Sequence, residues 1–171
     1  MANYTIFSDG AATMKKLDGE YIRVAGGWSI IIYDGGNCRI DGKYGGEMET
    51  TNNYMELYAI YQALLWLKFR DDFNNFSSAT IMSDSAYCVN IFNDWADKWY
   101  ANGWTRGRKH ESIENLEIIK KIYFMLKDYP TIKIQKVKGH STVAGNNLAD
   151  RYAVQGKQEA SIKGTFCENI I

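Results

Sequence analysis

The sequence predicts an α/β domain: a five-stranded mixed sheet, three antiparallel strands followed by two parallel ones, flanked by helices. Three observations carry this reading. The first 46 residues hold three β-rich runs separated by turn-forming residues. The apolar spacing then switches from strand-like to helical at Thr51-Asn52-Asn53. Thereafter short strands alternate with helical segments, the pattern of parallel pairing.

Tyr4-Thr5-Ile6-Phe7-Ser8 reads as the first strand, stopping at Asp9-Gly10, and the polar stretch Lys15 to Glu20 reads as a loop. Trp28-Ser29-Ile30-Ile31-Ile32-Tyr33 lies in a second strand from Val24. Asp34-Gly35-Gly36-Asn37 supplies residues that tolerate positive φ and turns the chain into a third strand, Cys38 to Gly46. From Tyr54 to Phe69, Leu57, Ile60, Tyr61 and Leu64 recur at steps of three and four, with Thr and Asn just before them as N-caps. Ala79 to Ser83 is a strand ending at Asp84. Ser85 to Phe92 and Asn93 to Asn102 read as helix, Gly103 to His110 as a basic loop, and Ser112 to Leu126 as an amphipathic helix. After Pro130 come a strand, Thr131 to Lys138, a loop, and a last helix, Asn146 to Gln155. Residues 1–156 are expected to form one domain, with 157–171 a C-terminal tail.

The 171 residues suit one hydrophobic core, and 46% apolar with 23% charged residues places the chain among globular proteins. No apolar run reaches transmembrane length, and the N-terminus lacks a basic-then-apolar leader. Cys38, Cys88 and Cys167 are dispersed and odd in number, as in a reducing compartment, so a cytoplasmic location is expected. Net charge is zero, whereas binders of polyanions are usually basic. The distribution of charge matters more. Lys98, Arg106, Arg108 and Lys109 occur within twelve residues that contain no acid.

Ligands of open α/β sheets bind beyond the carboxyl ends of strands, where Asp9 and Asp84 are expected. Each also has an ordinary reading, as a turn residue and as a helix cap. Glu56 aligns with Ile60, Ala63 and Leu67 at the edge of an apolar stripe, where an unpaired carboxylate is costly. Its local alternative is a capping box with Asn53. Asp150 shares a helix face with Asn146 and could equally be a solvated carboxylate. His140, in a loop after Gly139, could be an ordinary surface histidine.

Taken together, Phe7-Ser8-Asp9-Gly10, Thr51-Asn52-Asn53-Tyr54-Met55-Glu56-Leu57, Ser83-Asp84-Ser85, Val137-Lys138-Gly139-His140 and Asn146 through Asp150 resemble type I ribonuclease H in order and spacing. The resemblance runs from about residue 3 to 155. It implies an endonuclease that hydrolyses the RNA strand of RNA–DNA hybrids, leaving 5′-phosphate and 3′-hydroxyl ends. It implies that Asp9, Glu56, Asp84 and Asp150 hold two magnesium ions, with manganese the alternative, Asp9 bridging both and Glu56 near the 2′-hydroxyl. His140 would assist proton transfer or product release. Asn52 and Asn53 would read minor-groove edges and Thr51 would touch a DNA phosphate, with Gly10 and Asn146 also assigned to substrate binding.

Trp95, Trp99 and Trp104 with Lys98, Arg106, Arg108 and Lys109 resemble the family's basic handle. At least two of the tryptophans are expected to pack as a small core between helices, with the cations facing phosphates. The sequence departs from the family at Glu49 and Tyr54, where arginine is common, at Ala86, where glutamine is common, and in a long loop from Thr13 to Arg23. A monomer with no membrane partner is expected. The alternatives are a non-catalytic hybrid- or RNA-binding module on the same fold, or a DNA-cutting relative of that fold. The complete acidic set speaks against the first. The Thr-Asn-Asn segment and the handle speak against the second.

Overall fold

The computed structural model describes residues 2–13, 15–74, 77–137 and 143–170. The strands are β1 (Asn3–Ala12), β2 (Lys15–Leu17), β3 (Glu20–Ile22), β4 (Val24–Asp34), β5 (Arg39–Thr50), β6 (Ser78–Ser83), β7 (Ile132–Lys136) and β8 (Phe166–Asn169). The helices are α1 (Asn52–Lys68), α2 (Ala86–Asn90), α3 (Ala96–Ala101), α4 (Leu116–Asp128) and α5 (Ala144–Lys163), with a π-helical stretch, Ile91–Trp95, joining α2 to α3. The main sheet has the order β7-β6-β1-β4-β5-β8. β1 is parallel to β6, and β6 to β7; β1 with β4, β4 with β5 and β5 with β8 are antiparallel. The expected mixed α/β sheet is present.

Strand alternation sorts side chains between two layers. Ile6, Trp28, Ile30 and Ile32 face the larger core, where Met55, Ile60 and Leu64 of α1 meet Ile119 and Ile122 of α4. Phe7, Ile31 and Tyr44 face the other way, with Ala149 of α5 and Ile170. The run Trp28–Ile32 is thus buried on both faces, which explains why all of it but Ser29 is apolar.

Four local differences from expectation have identifiable causes. Lys15 to Glu20 belongs to a hairpin rather than a loop: Asp18 and Gly19 both take positive φ and pair Leu17 with Glu20, the Asp-Gly turn that matches strand twist. α4 begins at Leu116 rather than Ser112, because Asn115 is left-handed at φ 59°. α5 continues through Gly156 to Lys163, where Gly164 ends it at φ 86°. Gly156 is not a stop signal but a close approach: a Cβ there would lie 2.1 Å from the Gly45 carbonyl oxygen. Finally, the segment expected as a tail forms β8, a sixth strand on the outer edge of β5.

β8 closes an edge and completes the smaller core. Phe166 meets Tyr44 edge-on at 5.5 Å, and Ile170 is buried. Deleting residues 165–171 should therefore destabilise the domain by about 2–3 kcal/mol, lowering Tm by about 5–10 °C. Thermal melting followed by circular dichroism checks this; an unchanged Tm would mean that β8 adds nothing to the fold.

Candidate active site

The site begins with strand register. The parallel pairing of β1 and β6 ends at Ser8 opposite Ser83, so the next residues, Asp9 and Asp84, emerge side by side. Asp9 does not follow its strand, as expected, but lies inside it. β1 runs on against β4 alone, with Asp9 opposite Ser29 and Ala12 opposite Gly26. The functional edge is thus the carboxyl end of the parallel pair rather than of β1 itself.

Each bland reading meets a specific obstacle. The cap of α2 is Ser85, whose Oγ accepts from the Cys88 amide at 3.2 Å, so Asp84 is not the capping residue. The cap of α1 is Thr51, whose Oγ1 accepts from the Tyr54 amide at 3.2 Å, so no capping box built on Asn53 engages Glu56. Glu56 is instead pressed against β1. A Cβ on Gly10 would lie 2.3 Å from the Glu56 amide nitrogen, so this approach of helix to strand requires glycine. Gly10 itself is buried under that first turn.

Asp9, Glu56 and Asp84 each offer a carboxylate oxygen, and these oxygens lie within 4.8 Å of one another. Asp9 is 3% exposed and Glu56 5%. Burial, then the charges of Asp84 and Asp150, push the Asp9 carboxyl up to about 8, although hydrogen bonds from Glu56 and the Gly10 amide oppose this. Burial, then Asp9 and Asp84, hold Glu56 well above the usual carboxylate range. Glu56 Oε2 is buried with no hydrogen-bond partner among the described residues. Such a cluster either retains protons or takes up a cation. Its all-oxygen donor set and its orphaned buried oxygen suit a hard divalent ion such as magnesium or manganese.

Asp150 lies on α5, exposed and outside the tight triad, but near enough for its charge to reach Asp9. Asn146, one turn earlier, is buried, and its Oδ1 has no partner among the described residues. His140 falls within 138–142, outside the described residues.

The RNase H family model matches residues 1–158. The chain belongs to the ribonuclease H family. It is 37% identical over 155 residues to the ribonuclease H of Caldicellulosiruptor saccharolyticus, covering 90% of this chain and 94% of that one. Its fold is similar to that of LC9-RNase H1, a type 1 RNase H (TM-score 0.77, 21% identity, 98% of this chain and 78% of that chain). It is also similar to that of LC11-RNase H1 in complex with RNA/DNA hybrid (TM-score 0.67, 18% identity, 92% and 98%).

In this ribonuclease H, Asn52 and Asn53 are exposed beside the triad and line, with Thr51, a groove of about 660 Å³. Asn52 Oδ1 accepts from the Ala12 amide at 3.3 Å. Arg23, Glu114 and Asn115 complete the groove, and sequence reasoning missed all three. Asn115 had a usable signal: asparagine directly before an amphipathic run. Arg23 had none, because its place depends on the β2–β3 hairpin. Glu49, left-handed at φ 52°, and Tyr54 share a neighbouring groove with Arg23.

All three handle tryptophans pack against the main core, one more than the minimum expected. Trp95 and Trp99 lie 6.0 Å apart, and Trp104 meets Tyr123 edge-on at 5.2 Å. The handle cations are less uniform than their sequence window suggests. Lys98 pairs with Asp94 at 3.1 Å and Arg106 with Glu111 at 3.3 Å, both acids lying just outside that window. Arg108 and Lys109 are exposed with no ion pair among the described residues.

The raised Asp9 carboxyl predicts a pH effect on stability. Between about pH 4 and pH 8 the native state binds more protons than the unfolded one, so in the absence of metal Asp9 makes stability fall as pH rises through that window. Below pH 4 the carboxyl is neutral in both states and the penalty vanishes. In EDTA, Asp9→Asn should therefore match the parent Tm at pH 4 and exceed it at pH 8 by about 2–8 °C, a relief of about 1–2 kcal/mol. Scanning calorimetry at both pH values decides; an equal difference at pH 4 and pH 8 would refute the assignment.

Proposed function

We propose that this chain is an endonuclease that hydrolyses the RNA strand of RNA–DNA hybrids in a two-metal reaction, leaving 5′-phosphate and 3′-hydroxyl ends. The observation that carries this reading is the buried triad Asp9, Glu56 and Asp84 with its unpartnered Glu56 oxygen, set beside the Asn52–Asn53 groove in a member of the ribonuclease H family. LC11-RNase H1, with which the chain shares its fold, is described in complex with an RNA/DNA hybrid, the substrate class proposed here.

Asp9, Glu56, Asp84 and Asp150 would hold two divalent ions. When bound, such ions supply charge neutralisation and Lewis acidity at the attacking and leaving oxygens of an in-line displacement. The protein's own contribution is to hold the carboxylates in fixed positions, in a setting whose burial and mutual repulsion favour uptake of a cation. Asp9 is central, because its pKa responds to Glu56, Asp84 and Asp150 together. Glu56, three residues after Asn53, would by the family resemblance lie near the 2′-hydroxyl, the feature that marks RNA. Asn52 and Asn53 offer amide donors to minor-groove edges, and Arg108 and Lys109 offer charge to a phosphate backbone. His140 is proposed to assist proton transfer, on the strength of the family resemblance of the Lys138-Gly139-His140 segment. A purely binding module is the weaker reading: a buried acidic cluster repels phosphates and serves no binder.

Incubation with labelled RNA–DNA hybrid, double-stranded RNA and double-stranded DNA, with and without magnesium, tests the class. Magnesium-dependent cutting of the hybrid alone is expected, and cutting of double-stranded DNA would sink the proposal. Asp9→Asn and Asp84→Asn should each lower the cleavage rate at least about 100-fold while preserving the fold. Magnesium-dependent activity retained in either would remove that residue from the site.

The handle has its own signature. Neutralising Arg106, Arg108 and Lys109 together should weaken hybrid binding and reduce the slope of log K against log salt by about 1–3. Most of this should come from Arg108 and Lys109, since Arg106 already faces Glu111. An unchanged slope would exclude the handle from the interface.

A further inference from the structure

Asp9, Glu56 and Asp84 are set by the sheet and α1. Asp150 is not: it reaches the site from α5, on the opposite layer. Whether it lies at a useful distance depends on how α5 is seated on β4.

That seating is mostly apolar and close. A Cβ on Gly27 would lie 2.0 Å from the Ala153 carbonyl oxygen, so helix and strand backbones nearly touch. Such contacts hold helix and sheet together through shape alone. One polar contact adds direction. Ser29, fully buried, donates its hydroxyl to the carbonyl of Ala149, and it is the only side-chain hydrogen bond between β4 and α5 among the described residues. Ser29 lies opposite Asp9 in the β1–β4 register, and Ala149 directly precedes Asp150. A single hydrogen bond thus joins the strand neighbour of one carboxylate to the chain neighbour of another.

We infer that Ser29 is a positioning residue, which sets the separation of Asp150 from Asp9 by locking the register of α5 on β4. The hydroxyl is directional, and Ala149 sits mid-helix, where its carbonyl faces the sheet. Loss of the hydroxyl leaves the apolar packing intact but lets Asp150 drift, so the cost falls on cation affinity rather than on the fold. Removing a group bonded directly to a metal ligand typically costs about 10- to 100-fold in metal affinity, and Ser29, which bonds the residue before Asp150, is expected to cost less.

The inference rests on the proposed role of Asp150, and the test separates the two. Magnesium affinity is measured by calorimetry and by the rise in Tm on magnesium addition for the parent, Ser29→Ala, Asp150→Asn and the double variant. Ser29→Ala should weaken magnesium binding about 3- to 10-fold. Its effect should vanish in the Asp150→Asn background, because nothing remains to be positioned. With hybrid, kcat should fall by a similar factor and KM should change less than about twofold. If Asp150→Asn weakens magnesium binding but Ser29→Ala does not, or if Ser29→Ala acts equally in both backgrounds, the positioning role is wrong and Ser29 serves only the fold. If Asp150→Asn leaves magnesium binding unchanged, the assignment of Asp150 fails, and this inference with it. Should Ser29→Ala fail to fold, Ser29→Cys, close in size but a weak donor, replaces it with the same expected pattern.

Discussion

Three carboxylates brought within 4.8 Å of one another, two of them almost out of water, are the constraint around which this chain is built. In isolation the arrangement is unfavourable: desolvation and mutual repulsion both act against the charged forms. It persists because the elements that carry the acids are fixed by contacts that do not involve the acids. The β1–β6 register places Asp9 next to Asp84. The press of α1 onto Gly10 places Glu56. The cores on either side of the sheet hold these elements whatever the charge state of the site. Stability is built elsewhere and drawn down here, the expected pattern where a buried polar cluster serves function rather than folding.

The same separation explains what could be read from the sequence. The core strands were legible because Trp28 to Ile32 is apolar at every position but Ser29, and α1 because its apolar residues recur at helical steps. The acidic triad was legible only as a set. Asp9 and Asp84 each sit in a dipeptide that is common in turns and caps, and Glu56 follows two plausible capping residues. Structure settles these by showing who does the capping: Ser85 and Thr51. The errors have a common origin in residues whose meaning depends on distant partners. Gly156 looks like a helix stop until β5 is beneath it. Residues 166–169 look like a tail because a four-residue edge strand takes its register from the strand it joins. Asp18-Gly19 was the exception, a local hairpin signal that was present and went unread.

The grip on substrate follows a different logic from the chemistry. Asp9, Glu56 and Asp84 are crowded and mostly buried, whereas the Asn52–Asn53 groove is open and mixed in charge, lined by Arg23 and Glu114, and the groove next to it adds Glu47 and Glu49. Phosphate finds little net attraction there. Positive charge without an acidic partner is concentrated instead at Arg108 and Lys109, on a loop anchored by Trp104 in an aromatic cluster with Tyr100, Tyr123 and Phe124. The tryptophans therefore hold the handle in place, and the cations at its tip are the part proposed to meet phosphate. Neutral net charge is then no argument against a polyanionic substrate, because the acids are gathered where cations are needed and two of the four handle cations are left to phosphates.

Division of the acidic set between layers has a further consequence. Asp9, Glu56 and Asp84 belong to one rigid unit of sheet and α1, so their mutual distances vary little. Asp150 rides on α5, exposed, and is joined to that unit through the backbone contact at Gly27 and the hydroxyl of Ser29. On the proposed reading, a site built this way has one adjustable ligand. Asp150 stays in water, where a carboxylate is least costly, whereas burial and mutual repulsion raise the pKa of Asp9 and Glu56. A fully buried fourth carboxylate would add to the proton demand of the triad and oppose the binding it is needed for. On the proposed reading, the buried Asp9 and Glu56, the half-buried Asp84 and the exposed Asp150 are complementary parts of one device, and the seating of α5 decides whether they act together.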